Sequence, residues 1–250
     1  METNETAFCS LWTRHIKIHD CADLFFNVNL AEDYFFNRLN PFECDDIRGI
    51  IENAARLCYR MGMDCFVYTH DDNTEVQNSL TEIGFDWIDT MHVLNSEPKK
   101  QVRYDDDKIK VIHVDADSVP RWIDTFCKSF NVIRWKHEVK RVVSTHLKDL
   151  DLLLSYIRVK NSFDTVTGCA ALFSNEGLEG LYCLGTIMQF RGQGIARKMI
   201  DFSMQTACQQ RLEMVLLQTF SSEGLLPLYT NLGFRPVYKK RVYLRKRRVG

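Results

Sequence analysis

Thr186-Ile-Met-Gln-Phe-Arg-Gly-Gln-Gly-Ile-Ala196 is the stretch on which the reading of this chain turns. The apolar run Leu178–Ile187 leads into it as a strand. After it, Ile195, Ala196, Met199, Phe202 and Ala207 recur at helical spacing. A strand therefore passes through a glycine-containing turn into an amphipathic helix. That geometry aims several backbone N–H groups at one point, at the positive end of the helix dipole. Gly192 and Gly194 let the backbone approach an anion with no Cβ in the way. The expected ligand group is a phosphate or pyrophosphate. Two common phosphate loops are excluded: G-x-x-x-x-G-K-S/T is absent, and G-x-G-x-x-G fails because position 197 is Arg.

Working outward, Lys108–Val114 alternates apolar and polar and reads as a strand. Val119, Trp122, Ile123, Phe126, Cys127 and Phe130 predict a helix, capped by Asp117 or Ser118 with Pro120 in its first turn. A second helix is expected over His137–Leu147. Leu152–Val159, Val166–Phe173 and Leu178–Ile187 read as strands, with a turn at Asn175–Gly177. Met214–Phe220 is a further strand, Leu225–Leu232 a short helix, and Arg235–Leu244 one or two final strands. The order is β-α-α-β-β-β-α-β-α-β.

The first part of the chain echoes the end of the second. Shifted by 149 positions, Glu213–Thr219 falls on Asp64–His70, and Leu228–Phe234 falls on Ser79–Phe85. The helix after the glycine loop falls on Ile47, Ile50, Ile51, Ala54, Cys58 and Met61, all on one helical face. No gap is needed, and the element order agrees, so a degenerate internal duplication is expected. Between the copies lies NSEPKKQVRYDDD, polar and charged, with Pro98. The expected organisation is 1–94, a linker at 95–107, and 108–250.

Composition sets the outer bounds. Of 250 residues, 45% are hydrophobic and 26% charged, which is ordinary globular usage and excludes a disordered or collagen-like chain. No apolar run approaches the ~18–20 residues of a membrane span. The N-terminus is acidic and polar where a signal peptide would be basic and then apolar. A soluble, cytoplasmic protein with no membrane partner is expected. Nine Cys without a C-x-x-C argue against a disulfide framework or zinc site. His15 and His19 share a strand face, but no third ligand is near, so no metal is expected. Residues 239–250 carry seven Lys or Arg and no acid. That basic end reads as a solvated terminal strand, and nucleic acid is not the expected partner.

Arg191-Gly192-Gln193-Gly194-Ile195-Ala196 resembles the Q/R-x-x-G-x-G/A signature of the GCN5-related N-acetyltransferases. Leu228-Tyr-Thr-Asn-Leu-Gly-Phe234 looks like their L-Y-x-x-L-G-F, and the element order over 108–244 is similar too. The resemblance implies an α+β fold: a mixed, splayed central sheet flanked by helices, here preceded by a partial copy. It implies acetyl-CoA as cosubstrate and no metal. Residues 191–196 (Arg191, Gly192, Gln193, Gly194, Ile195 and Ala196) would hold the pyrophosphate by backbone N–H groups. Leu184, Gly185 and Thr186 would pair with the pantetheine amides like an added strand. A backbone N–H there would polarise the reacting carbonyl. Tyr229 stands where the family often places the acid that protonates the leaving thiolate.

Departures from the pattern are Met188 for a usual Pro, Ser222 at a cofactor-binding Asn position, and Gln218 where some members carry a basic Glu. The general base is thus unassigned, with Glu179, Tyr182 and His146 as candidates. In the family, the loop Asn131–Glu138 lines the acceptor pocket, so Arg134, Trp135 and Lys136 are expected to bind an anionic acceptor. Positions 42–47 hold three acids and no Gly, and Leu80 replaces the tyrosine, so the first copy should not bind CoA. Such a copy, with an aromatic run like Leu24-Phe25-Phe26-Asn27, is similar to that of nucleotide-sugar amine N-acetyltransferases. The expected partner is a small-molecule amine acceptor, with a homodimer left open. Two alternatives stay open: an acceptor amine on a protein or nucleic acid, and a CoA-sensing pseudo-enzyme. The apolar residues Phe25, Phe26, Phe35 and Phe36 are expected to dock the first copy on the second.

Overall fold

The computed structural model describes residues 1–41, 46–99, 108–159 and 162–247. Part of the acid-rich 42–47 stretch, most of the expected linker and the last three tail residues lie outside the described residues. In chain order the elements are α1 (Glu2–Trp12), β1 (Arg14–Ile18), β2 (Ala22–Phe26), β3 (Arg38–Pro41), α2 (Ile47–Arg60), β4 (Cys65–His70), α3 (Thr74–Glu82) and β5 (Asp86–Ser96). They continue with β6 (Ile109–His113), α4 (Val119–Ser129), α5 (Lys136–Thr145), β7 (Asp151–Val159), β8 (Ser162–Asn175) and β9 (Leu178–Thr186). The last are α6 (Ile195–Gln209), β10 (Met214–Phe220), α7 (Leu226–Asn231) and β11 (Arg235–Arg245). From β6 onward the order is the expected one, with a single final strand.

The duplication is visible in these bounds. Moved back by 149, α6 falls on 46–60 beside α2, β10 on 65–71 beside β4, and β11 on 86–96, the range of β5.

The chain packs as two compact units, residues 1–7 with 95–217 and residues 8–94 with 218–250. These units do not follow the repeat boundaries of the sequence, for a reason visible in the second unit. There β11, the last strand of the second copy, pairs antiparallel with β4 of the first, from Lys240↔His70 to Arg245↔Cys65. The strand order of that unit is β1-β2-β3-β4-β11-β5. The core of this unit includes the α2 stripe Ile47, Ile50, Ile51, Ala54 and Cys58, with Phe26, Leu39, Leu80, Phe85 and Tyr243. Phe36 stacks on Trp12 and Phe25 on His15, so these aromatics are used inside their own unit.

The first unit orders its strands β10-β9-β8-β7-β6. β6 to β9 are antiparallel neighbours, and β10 runs parallel to β9. The β8–β9 hairpin turns through Glu176 (φ 51°) and Gly177 (φ 76°), both left-handed, as a tight primed turn requires. α4 carries the buried stripe Val119, Trp122, Ile123, Phe126 and Cys127, and Trp122 Nε1 donates to the carbonyl of Ala170 at 2.8 Å. Ser118 stands at the N-cap of α4, as one of the two expected positions, but makes no side-chain capping bond. The Asp115 carboxylate accepts from the Ser118 N–H at 2.9 Å and starts a 3-10 turn before the helix. Two glycines let helices close on opposite faces of the sheet. A Cβ on Gly185 would lie 2.7 Å from Cβ of Ser129 at the end of α4. One on Gly168 would lie 3.1 Å from Ile195 at the start of α6.

Candidate functional site

In the first unit, β9 and β10 are paired only near their beginnings, from Leu178↔Met214 to Gly180↔Leu216. Beyond that point the parallel ladder stops, so among the described residues the β9 edge from Leu181 to Thr186 has no strand partner on that side. Unpaired strand edge is costly unless a guest supplies the missing hydrogen bonds. Leu184, Gly185 and Thr186, the three residues expected to meet the pantetheine amides, all lie on this stretch. The β8–β9 register also slips by one between Cys169↔Gly185 and Ala171↔Tyr182, and Cys183 at the slip has φ 52°. A bulge of this kind leaves an extra residue out of the ladder and re-aims the backbone beside it.

The β9 edge runs directly into the glycine loop. Phe190 N–H and Arg191 N–H are spent inside the loop, on Ile187 at 2.8 Å and Met188 at 3.2 Å. Gly192 (φ 76°) and Gly194 (φ 82°) are left-handed, and Gly194 is the residue that opens α6. It offers no side chain to cap the helix. The first N–H groups of α6 have no acceptor within the helix. Arg191 plays a different part from the one expected of it. Its guanidinium donates to the carbonyls of Thr186 and Ser129, each at 3.2 Å, and ties the loop to β9 and to the end of α4. The candidates for an anion are therefore the N–H groups of Gly192, Gln193, Gly194, Ile195 and Ala196.

The first copy closes the corresponding helix end. Asp46 caps α2, its carboxylate accepting from the Gly49 N–H at 2.9 Å. A built-in carboxylate there takes the place of an external anion.

No family model matches the sequence, and no curated relative does. Solved structures do match. A GCN5-related N-acetyltransferase from Kribbella flavida aligns over 97% of this chain and 93% of its own, with TM-score 0.72 at 13% identity. The fold is that of the GCN5-related N-acetyltransferases. A tandem protein of that type from the clavulanic acid biosynthesis pathway aligns over 92% of this chain and 79% of its own, with TM-score 0.63 at 8% identity. A glucosamine N-acetyltransferase region of a fungal multi-domain protein covers 90% of this chain, with TM-score 0.67 at 13% identity, over 31% of that longer protein.

In this acetyltransferase fold the expected acid belongs to the second unit. Tyr229 lies on α7 with its ring buried, edge-on to Phe234 at 6.3 Å. Burial, and to a lesser degree Glu223, push its phenol pKa up, so the proton is held at neutral pH. No hydrogen bond to its hydroxyl is found among the described residues. Ser222 does not present a free hydroxyl. Its Oγ donates to Asp89 at 2.5 Å and its N–H to the same carboxylate at 3.2 Å, while Tyr34 donates to it at 3.0 Å. Next to it, Ser221 Oγ and His92 Nε2 share a hydrogen bond of 2.8 Å. Burial holds the His92 imidazole below its ordinary pKa, and Lys239 adds to this against Asp89 and Asp71. Asp89 and His92 lie on β5, in the first copy. The sequence carries no motif there, and the serine partner of each is more than a hundred positions away.

The three proposed bases are all engaged elsewhere. Glu179 is buried at the paired end of β9, takes a hydrogen bond from Ser174 at 3.0 Å, and is pushed by burial to a pKa of about 7. Tyr182 folds its ring back over Gly180 and donates to Asn4 Oδ1 at 2.7 Å. His146 pairs with Asp149 at 3.1 Å. Arg134 lies over the ring of its own neighbour Trp135 at 5.6 Å, and Lys136 is paired with Asp124 at 2.6 Å. A cavity of about 470 Å³ opens on the α4 side at the end of β9, lined in part by Arg121, Asp124, Lys128, Asp164 and Ile187. Arg134 and Trp135 do not line it. His15 pairs with Asp23 at 2.6 Å, and no cluster of three metal-ligating side chains occurs among the described residues. No described helix is long and apolar enough to cross a membrane.

Proposed function

We propose that the protein is an N-acetyltransferase that moves the acetyl group of acetyl-CoA to the primary amine of a small molecule, with amino sugars as the leading acceptor class. One observation carries the reading: an unpaired β9 edge runs into a helix N-terminus opened by a left-handed glycine. An extended chain of amides ending in a pyrophosphate matches that sequence of surfaces. Backbone N–H groups of 192–196 would bind the phosphates. Leu184, Gly185 and Thr186 would hold the pantetheine arm and orient the carbonyl. Tyr229, protonated and with no partner for its hydroxyl among the described residues, would give its proton to the departing sulfur. Charged groups around the α4 cavity, Arg121, Asp124, Lys128 and Asp164, suit a polar acceptor. The amino-sugar class is supported by the glucosamine N-acetyltransferase region among the neighbours of this fold.

A second reading, an amine carried on a polyanion, is favoured by Arg245, Lys246 and Arg247, which with Tyr59 line a separate cavity of about 450 Å³. The first test is calorimetry with acetyl-CoA, followed by thiol release with a panel of primary amines that includes glucosamine. Gly194→Glu, which places a bulky anion where the phosphates would sit, should abolish acetyl-CoA binding in a folded protein. Unchanged affinity in that variant would remove the loop from the site.

A further inference from the structure

The second unit has a cavity of its own, where β11 ends beside the C-terminal turn of α2. Its volume is about 450 Å³, and it is lined by Tyr59, Arg245, Lys246 and Arg247. Every charged residue of that lining is a cation. The backbone beneath it is fixed from two directions. Arg245, the last residue of β11, pairs with Cys65 at the start of β4. Two residues on, the Arg247 N–H donates to Asp64 Oδ1 at 2.8 Å. Asp64 itself does not line the cavity.

The cations differ in how they are held. Arg245 is a fixed plane: its Nε donates to the Tyr59 hydroxyl and its Nη1 to the Ile83 carbonyl, each at 2.8 Å. Its guanidinium lies over the rings of Phe85 at 4.8 Å and Tyr59 at 5.7 Å. Nη2 is left without a partner among the described residues. The side chains of Lys246 and Arg247 are exposed, and neither has an ion pair or side-chain hydrogen bond among the described residues. Nη1 of Arg247 lies 4.0 Å from where a Cβ on Gly62 would stand, so this guanidinium covers the turn between α2 and β4. A helix C-terminus attracts a cation without any ligand, and Arg60 in the last turn of α2 already meets that need. The further cations on consecutive residues repel one another, and such a cluster focuses a positive field on the cavity between them.

We propose that this cavity binds an oligophosphate, as carried by a nucleoside di- or triphosphate, at a site separate from the glycine loop. A lone carboxylate would answer one guanidinium fork. Adjacent phosphates present several charged oxygens, which match a fixed fork, a compact ammonium and a second fork. The volume falls within the range of roughly 300–1,000 Å³ usual for small-ligand sites. The Tyr59 hydroxyl accepts from Arg245 and donates to the Arg245 carbonyl at 3.3 Å, so the tyrosine supplies a wall and holds the arginine. A nucleic-acid backbone offers the same group with one charge to each sugar; cations on consecutive residues around one cavity suit phosphates that are directly joined. All of these residues belong to the second unit, so the assignment is independent of the acetyl-transfer reading.

The test uses the full chain and inorganic tripolyphosphate. Lysines are labelled with an amine-reactive ester and read peptide by peptide by mass spectrometry, so the signal is local whether or not the glycine loop is also occupied. Tripolyphosphate should protect Lys246 and leave the exposed Lys17 and Lys110 unchanged. Arg247→Gln, which keeps the backbone N–H that Asp64 accepts, should raise the concentration needed for protection roughly 10-fold. Protection should persist in Gly194→Glu. Equal labelling of Lys246 with and without tripolyphosphate, or protection that Arg247→Gln leaves unchanged, would overturn the site. Loss of protection in a folded Gly194→Glu protein would overturn its separateness from the loop. A single-stranded oligonucleotide that protects Lys246 where tripolyphosphate does not would overturn the oligophosphate in favour of a nucleic-acid surface.

Discussion

Gly185 links the fold to the site, and adding one methyl group there has a calculable consequence. A Cβ at this position would stand 2.7 Å from Cβ of Ser129 and 2.8 and 3.2 Å from two ring carbons of Phe130. Carbon atoms rest about 3.5–4.0 Å apart, so the end of α4 must retreat by roughly 1 Å. It cannot slide freely. Trp122 is hydrogen-bonded to Ala170 at 2.8 Å, and the α4 stripe is buried against the sheet. Overpacking of this kind costs about 1–3 kcal/mol. In a chain of this size each kcal/mol lowers Tm by roughly 2–4 °C, which gives a drop of about 2–12 °C for Gly185→Ala. The substitution should also reach the phosphate loop, because the Ser129 carbonyl that would move is an acceptor for Arg191. Thermal unfolding by circular dichroism and calorimetry with acetyl-CoA give the two readouts, and both should fall together. Gly192→Ala is the control. Nothing lies within 4 Å of its Cβ, so only the left-handed φ of 76° is strained, at about 1 kcal/mol, and α4 is undisturbed. A Gly185→Ala protein with unchanged Tm and unchanged affinity would refute the claim that α4 closes on β9 at this residue.

Three further predictions follow from the geometry. Tyr229→Phe should lower kcat by roughly 10²-fold while acetyl-CoA affinity stays the same; an unchanged kcat with chemistry rate-limiting would leave Tyr229 a packing residue. Glu179, pushed by burial to about 7 from an ordinary 4.5, binds more protons folded than unfolded between those values, so stability should fall as pH rises from 4.5 to 7. The loss is about 3 kcal/mol, and Glu179→Gln should abolish that slope in urea titrations at pH 5 and pH 8; a slope equal to the parent's would place the titration elsewhere. Residues 96–250 expressed alone should be poorly soluble, because β11 would lack β4 and Ser222 would lack Asp89; a monomeric, soluble fragment fully active on an amine acceptor would show that the first copy is dispensable.

How much of this was legible in the sequence depended on whether the signal was local. Strand-turn-helix at 178–209 was legible because apolar period, glycine placement and helix face all act within a few residues. The duplication was legible for the same reason, and the shift of 149 carries the range of β11 onto that of β5. That same equivalence hid the pairing. Two strands of eleven residues occupying corresponding places in two copies are both suited to lie beside β4, and periodicity does not choose between them. The structure puts β11 there and β5 beyond it, so the packing units cut across the copies. Hydrogen bonds such as His92 to Ser221 were illegible too, because they join side chains 129 positions apart and leave no spacing rule behind.

The same comparison explains what a degenerate copy can be for. In the second copy, a left-handed glycine opens α6 and no side chain caps it. In the first, Asp46 supplies its own carboxylate to α2, so that helix end is capped from within the chain. The first copy also supplies contacts to residues of the second copy within the second unit. Its last strand carries Asp89, whose carboxylate fixes the Ser222 backbone ahead of the helix that bears Tyr229, and His92, bonded to Ser221 beside it. The two copies thus differ at the corresponding helix end, open in one and capped by its own Asp in the other. Removing the cap tests the difference: Asp46→Gly alone should destabilise the second unit by only roughly a few tenths of a kcal/mol and should create no acetyl-CoA site, because the first copy offers no counterpart of Tyr229, with Leu80 at that place.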